Sequence, residues 1–523
     1  MKNNITIKGR KVSELLMWLY ITVVLVGLPL FVTNAYYNIN VDKYYYYCGA
    51  CVLLIPILIL KALERPSVKG FFKNLSAAEI ALLIFWVIAG LSTLLSDFVF
   101  ESFWGNEGRF SGLFLMTIYV IAYFAISRCY SPNPVCVYAG VLAGCLVFAF
   151  GVTDYLSMDI FGFKKEILQE QIHKFMSTVG NINFYSSYAG LITGAAAAIY
   201  AACRGKWESV AWFFFMTISF LGVAVGNSDS AYLGLGAVFG FLPLYLFKDR
   251  QGVRRYLMMI SSLLLALAIY KVCAVRYAEV VMEPSGFNRA IVNMGFFYKA
   301  CIGFWIITAA VYGIDYKLHR QTEELGKKAK RAWAVFLLLA AAGVGGILID
   351  ANLLGHGDRY ASIRDMVVFN DHWGTNRGFA WRKAIENYME FPLIRKILGY
   401  GPETFGIISF FHDLAESAAF SGELFDNVHN EYLQFLITIG PIATGAYIVF
   451  LALSVRDMLK CHCSPYIIGM GFAVFGYGIQ ALVNINQPAS TPIMWTFLGM
   501  GIAECRRHHL ILQIEEESDR IDE

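Results

Sequence analysis

The chain has 523 residues, of which 57% are apolar and 15% are Asp, Glu, Lys or Arg. Soluble domains average about 45–50% apolar and about 25% charged residues, so this composition, with a mean hydropathy of +0.54, excludes an ordinary soluble enzyme and a disordered chain. A net charge of +3 is too small for the basic face of a nucleic-acid-binding protein, and no nucleic acid is expected as a partner. The composition is typical of a polytopic membrane protein.

Long apolar runs are the main feature of the chain. Runs of about 18–22 mostly apolar residues can cross the hydrocarbon core as helices, and the sequence contains about fourteen of them. Their predicted limits are 13–33, 44–62, 77–96, 111–128, 134–154, 184–203, 208–226, 230–247, 255–274, 294–315, 332–350, 432–455, 465–484 and 488–505. We therefore expect an all-α polytopic membrane protein with about fourteen transmembrane helices and one large extracytoplasmic loop that contains short amphipathic helices.

Basic residues predict the orientation, because short cytoplasmic loops carry an excess of Lys and Arg. With the N-terminus inside, strict alternation places 26 of the 42 basic residues on the cytoplasmic side. Both termini are then cytoplasmic. The predicted organisation is helices 1–11 in residues 1–350, an extracytoplasmic catalytic loop at 351–430, helices 12–14 in 431–505 and a cytoplasmic tail at 506–523.

The outer loop contains a candidate amphipathic helix at 376–391, with Trp381 and Tyr388 on one face, and Pro392 is expected to end it. Arg377 stands at its start, where a cation opposes the helix dipole. An anionic ligand such as a phosphate would resolve that conflict. The alternative is a surface arginine paired with a loop carboxylate.

His429 lies where the outer loop enters the twelfth span. Asp426 or Asn427 is expected to cap that helix, and a histidine in the first helical turn is biased towards the neutral imidazole that a general base needs. The alternative is an interfacial histidine bonded to a neighbour. Arg109, at the outer mouth of the fourth span, is another candidate, although an arginine there often snorkels to headgroups.

Cysteines carry less information. None of the 11 lies in the outer segments 97–110, 155–183 or 351–430, so the sequence predicts no disulfide framework. Cys461-His462-Cys463 and Cys505 with His508 and His509 could meet on the cytoplasmic side as a zinc site, but their spacing matches no known zinc finger. No metal site and no cofactor are predicted.

The residues around His429 resemble a known family. Asp426-Asn-Val-His429-Asn430-Glu-Tyr-Leu433 is similar to the His-Asn signature of the O-antigen ligase/O-antigen polymerase superfamily. Upstream, the segment from Asn376 to Trp381, then Pro392 and Gly399-Tyr-Gly401-Pro-Glu-Thr-Phe405, are similar to its Gly-Arg…Trp…Pro…Gly-x-Gly…Phe pattern. Gly180-Asn-Ile-Asn183 resembles a weaker landmark. The close resemblance covers residues 376–445.

The resemblance implies an inverting, metal-independent membrane glycosyltransferase that moves a glycan from a polyprenyl-diphosphate carrier, such as undecaprenyl diphosphate, to an acceptor hydroxyl. It assigns His429 to the acceptor and Arg377 to the diphosphate, as catalytic residues. Many relatives have an arginine where this chain has Asp229, and Arg109 could substitute for it. Arg109, Asn430, Trp381 and Asn183 are the expected substrate-binding residues.

The expected partners are the lipid-linked glycan donor, membrane lipids, and a lipid, glycan or protein acceptor. The expected location is the plasma membrane of a bacterium, in a pathway of cell-envelope polysaccharide biosynthesis. Two alternatives stay open: a repeat-unit polymerase of the same superfamily, which differs only in its acceptor, and a lipid-linked glycan flippase. A flippase favours charged or polar groups near the membrane midplane, whereas here the polar residues collect at the outer face.

Overall fold

The structure is a computed structural model that describes residues 2–63, 74–106, 108–165, 167–318, 323–422, 424–461 and 463–522. It is 79% helical. The strands described are β1 (Phe175–Met176) and β2 (Gly180–Asn181), which pair antiparallel with Phe175 opposite Asn181. The expected all-α architecture is confirmed at this level.

Helices follow one another with short connections. Those before residue 203 are α1 (Lys2–Thr22), α2 (Leu28–Leu30), α3 (Ile39–Cys51), α4 (Leu54–Leu63), α5 (Ala77–Leu94), α6 (Val99–Trp104), α7 (Leu113–Cys129), α8 (Pro134–Tyr155) and α9 (Ile182–Ala202). Those from 206 to 367 are α10 (Lys206–Val225), α11 (Asp229–Leu246), α12 (Arg250–Arg276), α13 (Gly286–Asn293), α14 (Phe297–Leu318), α15 (Glu323–Asn352) and α16 (Arg364–Val367). The remaining ones are α17 (Trp373–Glu390), α18 (Leu393–Leu398), α19 (Phe405–Ser421), α20 (Glu431–Cys461), α21 (Pro465–Gln480) and α22 (Thr491–Asp522).

Each of the expected spans is helical, but they differ in apolarity. Among the described residues, eleven helices are long and apolar enough to cross a membrane, and α7 is a shorter apolar helix. The sixth and fourteenth expected spans correspond to α9 and to the first part of α22, which are not in that group. A multi-pass membrane protein is therefore supported, while the number fourteen stays a prediction.

Helix α9 shows why a helix of the bundle can fall outside this apolar group. Its side chains from Tyr185 to Ala201 are buried all round, and many are Ala, Gly or Ser. A Cβ added at Gly194 would lie 3.2 Å from the Cα of Ala473, so α9 and α21 pack backbone to backbone. Small residues permit such close approach in membrane bundles, and a helix that faces protein rather than lipid does not need a strongly apolar surface.

The segment 351–430 packs against the helices of the bundle. A separate apolar cluster joins α17, α19 and the start of α20; its buried members are Ala384, Phe391, Phe405, Ile408, Val428 and Ile437. The turn after α18 inserts between α5 and α20, where the Gly401 N–H donates to the carbonyl of Thr438 at 2.8 Å. Gly399 (φ +72°) has no room for a Cβ, which would lie 2.1 Å from the Thr438 oxygen. This packing places the end of the loop against the ends of α5 and α20.

A buried, non-helical segment also reaches this end. Residues 484–490, between α21 and α22, are all buried although four of them are Asn, Gln or Ser. The sequence predicts only a very short loop here and starts the last span at 488, whereas α22 begins at Thr491. Because α22 then continues to Asp522, the expected tail 506–523 is helical as far as it is described.

Candidate functional site

His429 sits in a tight turn just before α20. Its backbone is left-handed (φ +55°), and its N–H donates to the Oδ1 of Asn427 at 2.8 Å. The helix cap differs from the one expected. Asn430 accepts from the N–H groups of Tyr432 and Leu433 at 3.1 and 3.0 Å, so Asn430, and neither Asp426 nor Asn427, caps α20. His429 therefore precedes the helix instead of lying in its first turn.

The imidazole of His429 is held in its neutral form. Its pKa falls to about 3, first because the half-buried ring is desolvated and then because Arg109 and Arg377 both repel a proton on it. The sequence predicted a bias towards the neutral imidazole, and the lowered pKa of His429 has that direction. Its causes are burial and two guanidinium groups rather than the helix dipole. Its Nδ1 is buried and has no hydrogen-bond partner among the described residues.

Arg377 begins the regular part of α17. Gly374, Thr375 and Asn376 have left-handed backbones, and the helix then proceeds from Arg377 to Glu390 as expected. The guanidinium donates to the carbonyl of Gly374 at 3.1 Å and to Oδ1 of Asn183 at 3.4 Å. Burial lowers its pKa, which Asp229 partly offsets.

Arg377 also has a donor nitrogen that forms no hydrogen bond with the described residues. Its Nε is buried without a partner within the described part of the chain, and no carboxylate among those residues forms an ion pair with it. The alternative of a surface arginine paired with a loop carboxylate is not what these residues show. Asp229 instead accepts the N–H of Phe287 at 2.8 Å, at the start of α13.

Arg109 reaches the same site from the loop before α7. Its Nε and Nη2 donate to the two carboxylate oxygens of Asp426 at 3.0 and 2.7 Å. Its Nη1 is buried and lacks a partner in the described segments. Arg109 thus does not snorkel away from the protein: it fixes the loop three residues before His429 and leaves one nitrogen for a ligand.

Trp381 contacts the His429 turn from the other side. Its Nε1 donates to the carbonyl of Val428 at 3.0 Å, and its ring packs against Trp373 with centroids 5.1 Å apart. The adjacent Val428 N–H donates to Oε1 of Gln434 at 3.2 Å. Of the predicted binding residues, the structure therefore brings Arg109 and Asn183 to the site. The indole N–H of Trp381 and the amide oxygen of Asn430 instead form hydrogen bonds within the protein.

Glu403 is a site neighbour that the sequence interpretation did not single out. Its side chain is 6% exposed, its backbone is left-handed (φ +60°), and its Oε2 has no partner among the residues described. Burial raises its pKa to about 7; the nearby Arg109 lowers it and Asp426 raises it. The only sequence signal is its place in Gly-Pro-Glu-Thr-Phe, directly after a predicted turn.

The buried segment 484–490 connects the parts that carry these groups. Asn484 donates to the carbonyl of Asn183, the residue that contacts Arg377, at 3.2 Å. Ser111, two residues after Arg109, donates to the carbonyl of Asn486 at 3.4 Å. Tyr477 bonds both Glu431, two residues after His429, and Thr491. The segment therefore connects Asn183 with the loop that carries Arg109, two parts of the site that are far apart in sequence.

The cysteines near the C-terminal end of α20 do come together in part. The Sγ atoms of Cys461 and Cys463 are 3.7 Å apart, and His462 lies outside the described residues. Among the residues that the structure describes, no group of three or more His, Cys, Asp or Glu side chains is arranged to hold a metal ion.

A comparison with known families matches the part of the chain that holds several of these residues. The model of the O-antigen ligase family matches residues 299–448, which include Arg377, Trp381, Glu403 and His429. No curated protein matches the chain. The family match overlaps the whole of the motif segment 376–445, and it confirms that this chain resembles the O-antigen ligase superfamily.

Proposed function

We propose that the protein is a membrane glycosyltransferase that moves a glycan from a polyprenyl-diphosphate carrier to an acceptor hydroxyl at the outer face of a bacterial plasma membrane. The observation that carries the proposal is a neutral imidazole, His429, placed within electrostatic reach of two guanidinium groups, Arg109 and Arg377. A base beside two cations suits a reaction in which a hydroxyl loses a proton while an anion departs.

The chemistry assigns a role to each group. The acceptor oxygen attacks the anomeric carbon, the bond from that carbon to the diphosphate oxygen breaks, and the hydroxyl proton passes to His429. Arg377, and Arg109 through its remaining Nη1, stabilise the departing diphosphate. One displacement of this kind inverts the anomeric configuration.

Donor binding would also prepare the base. With the site empty, a pKa of about 3 makes His429 a weak proton acceptor. A bound diphosphate places negative charge between the two guanidinium groups and removes their repulsion of a proton. The pKa of His429 then rises towards the range useful at neutral pH, so the base becomes effective when the donor is present.

Ligase and polymerase reactions share this chemistry and differ in the acceptor. The family match supports lipid-linked glycan substrates and a membrane location in general terms. The cytoplasmic location of both termini and the outer location of 351–430 belong to the same proposal, because the donor head must meet this loop while its tail stays in the bilayer.

The decisive experiment is the substitution His429→Ala. Membranes that contain the variant are supplied with lipid-linked glycan, and release of polyprenyl diphosphate is followed, which reports transfer whatever the acceptor is. We expect release to fall by at least about a hundredfold, the usual contribution of a general base, at unchanged protein abundance.

His412→Ala is the matched control, because His412 is an exposed histidine on α19 in the same outer segment. It is expected to release polyprenyl diphosphate at the wild-type rate. Wild-type release by the His429→Ala protein would contradict the proposed function.

A further inference from the structure

Glu403 is a buried acid in a rigid turn. The Thr404 hydroxyl donates to the carbonyl of Gly401 at 2.7 Å, and Gly401 is itself bonded to Thr438 of α20. A left-handed backbone is unfavourable for a glutamate, so the packing around the turn must hold it in place. The turn therefore fixes the position from which the Glu403 carboxyl extends.

The nearest charged groups come from two other loops. Among the described residues, these are Arg109 from the loop before α7 and Asp426 from the loop before α20. Asp426 already occupies Nε and Nη2 of Arg109, and the Oε2 of Glu403 is left without a hydrogen bond in the described structure. An ionised carboxylate that is buried without a partner is costly, so this geometry favours the protonated acid.

This geometry matters because Arg109 belongs to the proposed donor site. A neutral acid beside Arg109 leaves the positive charge available to a diphosphate, and its O–H can donate a hydrogen bond. An ionised acid in the same place would repel the diphosphate and compete for the guanidinium.

We propose that Glu403 is a positioning residue of the donor site that acts as a neutral carboxylic acid, and that its ionisation weakens binding of the diphosphate. The inference rests on the proposed function, because it takes the ligand to be a diphosphate. It goes further by linking donor affinity to the protonation of a residue outside the His429 turn.

The direction of the pH dependence follows from the raised pKa of Glu403, about 7. Below this pH the acid is neutral and the donor binds well; above it the acid ionises and affinity falls. A diphosphate diester carries the same two charges throughout, so the ligand itself does not titrate there.

The test measures the dissociation constant of one probe, farnesyl diphosphate esterified with N-acetylglucosamine, on the purified full-length protein between pH 6 and pH 8.5. For the wild-type protein we expect affinity to fall by about tenfold over this range, as expected for one added negative charge near the ligand. Glu403→Gln imitates the neutral acid and is expected to lack this tenfold fall, so its affinity falls clearly less than that of the wild-type protein over the same range; any pH dependence that comes from His429 is common to both proteins.

Asp413→Asn is the matched control. Asp413 is a buried carboxyl on α19 that bonds Asn387 at 2.6 Å and lies outside the described partners of Arg109. Its variant is expected to keep the wild-type pH dependence. Thermal melting of each variant shows whether it is folded.

Three results would overturn the inference: a flat wild-type profile, a Glu403→Gln profile that falls in parallel with the wild type, or loss of probe binding by folded Glu403→Gln at pH 6. Failure of the proposed function looks different. In that case the wild-type protein does not bind the probe at any pH, or His429→Ala still transfers glycan.

Discussion

At the scale of single residues, the site is defined by two arginines that each have a buried nitrogen without a hydrogen-bond partner among the described residues. Arg377 bonds one carbonyl and one amide oxygen, and Arg109 has a carboxylate on two of its three nitrogens. Desolvated cations without full compensation are unfavourable in an empty protein, and an anionic ligand would satisfy both at once. Burial of the ring and then the same two cations lower the pKa of His429 to about 3.

The clearest consequence concerns Arg377. Arg377→Ala is expected to weaken binding of the farnesyl diphosphate N-acetylglucosamine probe by about 10–100-fold, because hydrogen bonds to charged groups contribute about 1.5–3 kcal/mol. Arg377→Lys is expected to recover only part of this loss, since lysine has no planar fork. Equilibrium binding at pH 6 is the measurement.

Arg382→Ala is the control on the same helix. Arg382 is partly exposed and pairs with Asp371, Glu386 and Glu416, each at 2.9 Å. Its loss is expected to leave probe affinity unchanged. Wild-type affinity in folded Arg377→Ala would remove Arg377 from the donor site.

At the scale of elements, the turn before α20 is held from several directions. Arg109 holds Asp426, Trp381 of α17 holds the carbonyl of Val428, and Gln434 of α20 holds the Val428 N–H. These contacts fix His429 between helices that are distant in sequence. A catalytic group gains from such rigidity, because small displacements lower the rate.

Trp381→Phe tests whether Trp381 positions His429 or binds substrate. The ring packing is kept and one hydrogen bond of about 1 kcal/mol is lost, so we expect kcat to fall by about fivefold with the KM for the donor unchanged. Both constants come from release of polyprenyl diphosphate in the membrane assay.

A rise in the donor KM with kcat unchanged would instead indicate direct contact with the donor, the role that the sequence interpretation gave to Trp381. Trp373→Phe is a suitable control, since Trp373 stacks on Trp381 but donates to Met366 at 3.1 Å rather than to the His429 turn. It is expected to keep the wild-type kcat and donor KM.

At the scale of the whole molecule, residues predicted on one side of the membrane meet one another. Glu79, fully buried, accepts from Arg128 at 2.6 Å and from Arg506 at 2.5 Å, and all three are predicted near the cytoplasmic face. Arg109, Asn183, Arg377 and His429, predicted outside, form the other group. This agreement favours the alternation of spans on which the orientation depends.

Reporter fusions on either side of α20 test the orientation. Alkaline phosphatase fused after Gly422 is expected to be active and fused after Ser464 to be inactive, because the basic residues retain the latter side in the cytoplasm. Green fluorescent protein at the same two positions is expected to show the reverse. Phosphatase activity at Ser464 but not at Gly422 would invert the proposed topology.

Sequence alone determined the local properties of this protein. Hydropathy over about 20 residues, basic residues in short loops and the motifs of 376–445 predict membrane helices, an orientation and the importance of Arg377 and His429. These signals depend on neighbours along the chain, so one sequence contains them. For the same reason the helix over 376–391 was expected nearly where α17 has it.

Only the tertiary structure decided which distant side chains meet. Asn183 reaches Arg377 across 194 positions, Arg109 reaches Asp426 across 317, and Asn484 reaches Asn183 across 301. Glu403 could not be recognised as an unpartnered acid, nor Asn430 as the helix cap, because burial and hydrogen bonding depend on how helices pack. Composition showed that charged residues are scarce. Packing determined which of them share one site, and it lowers the pKa of His429 and raises that of Glu403.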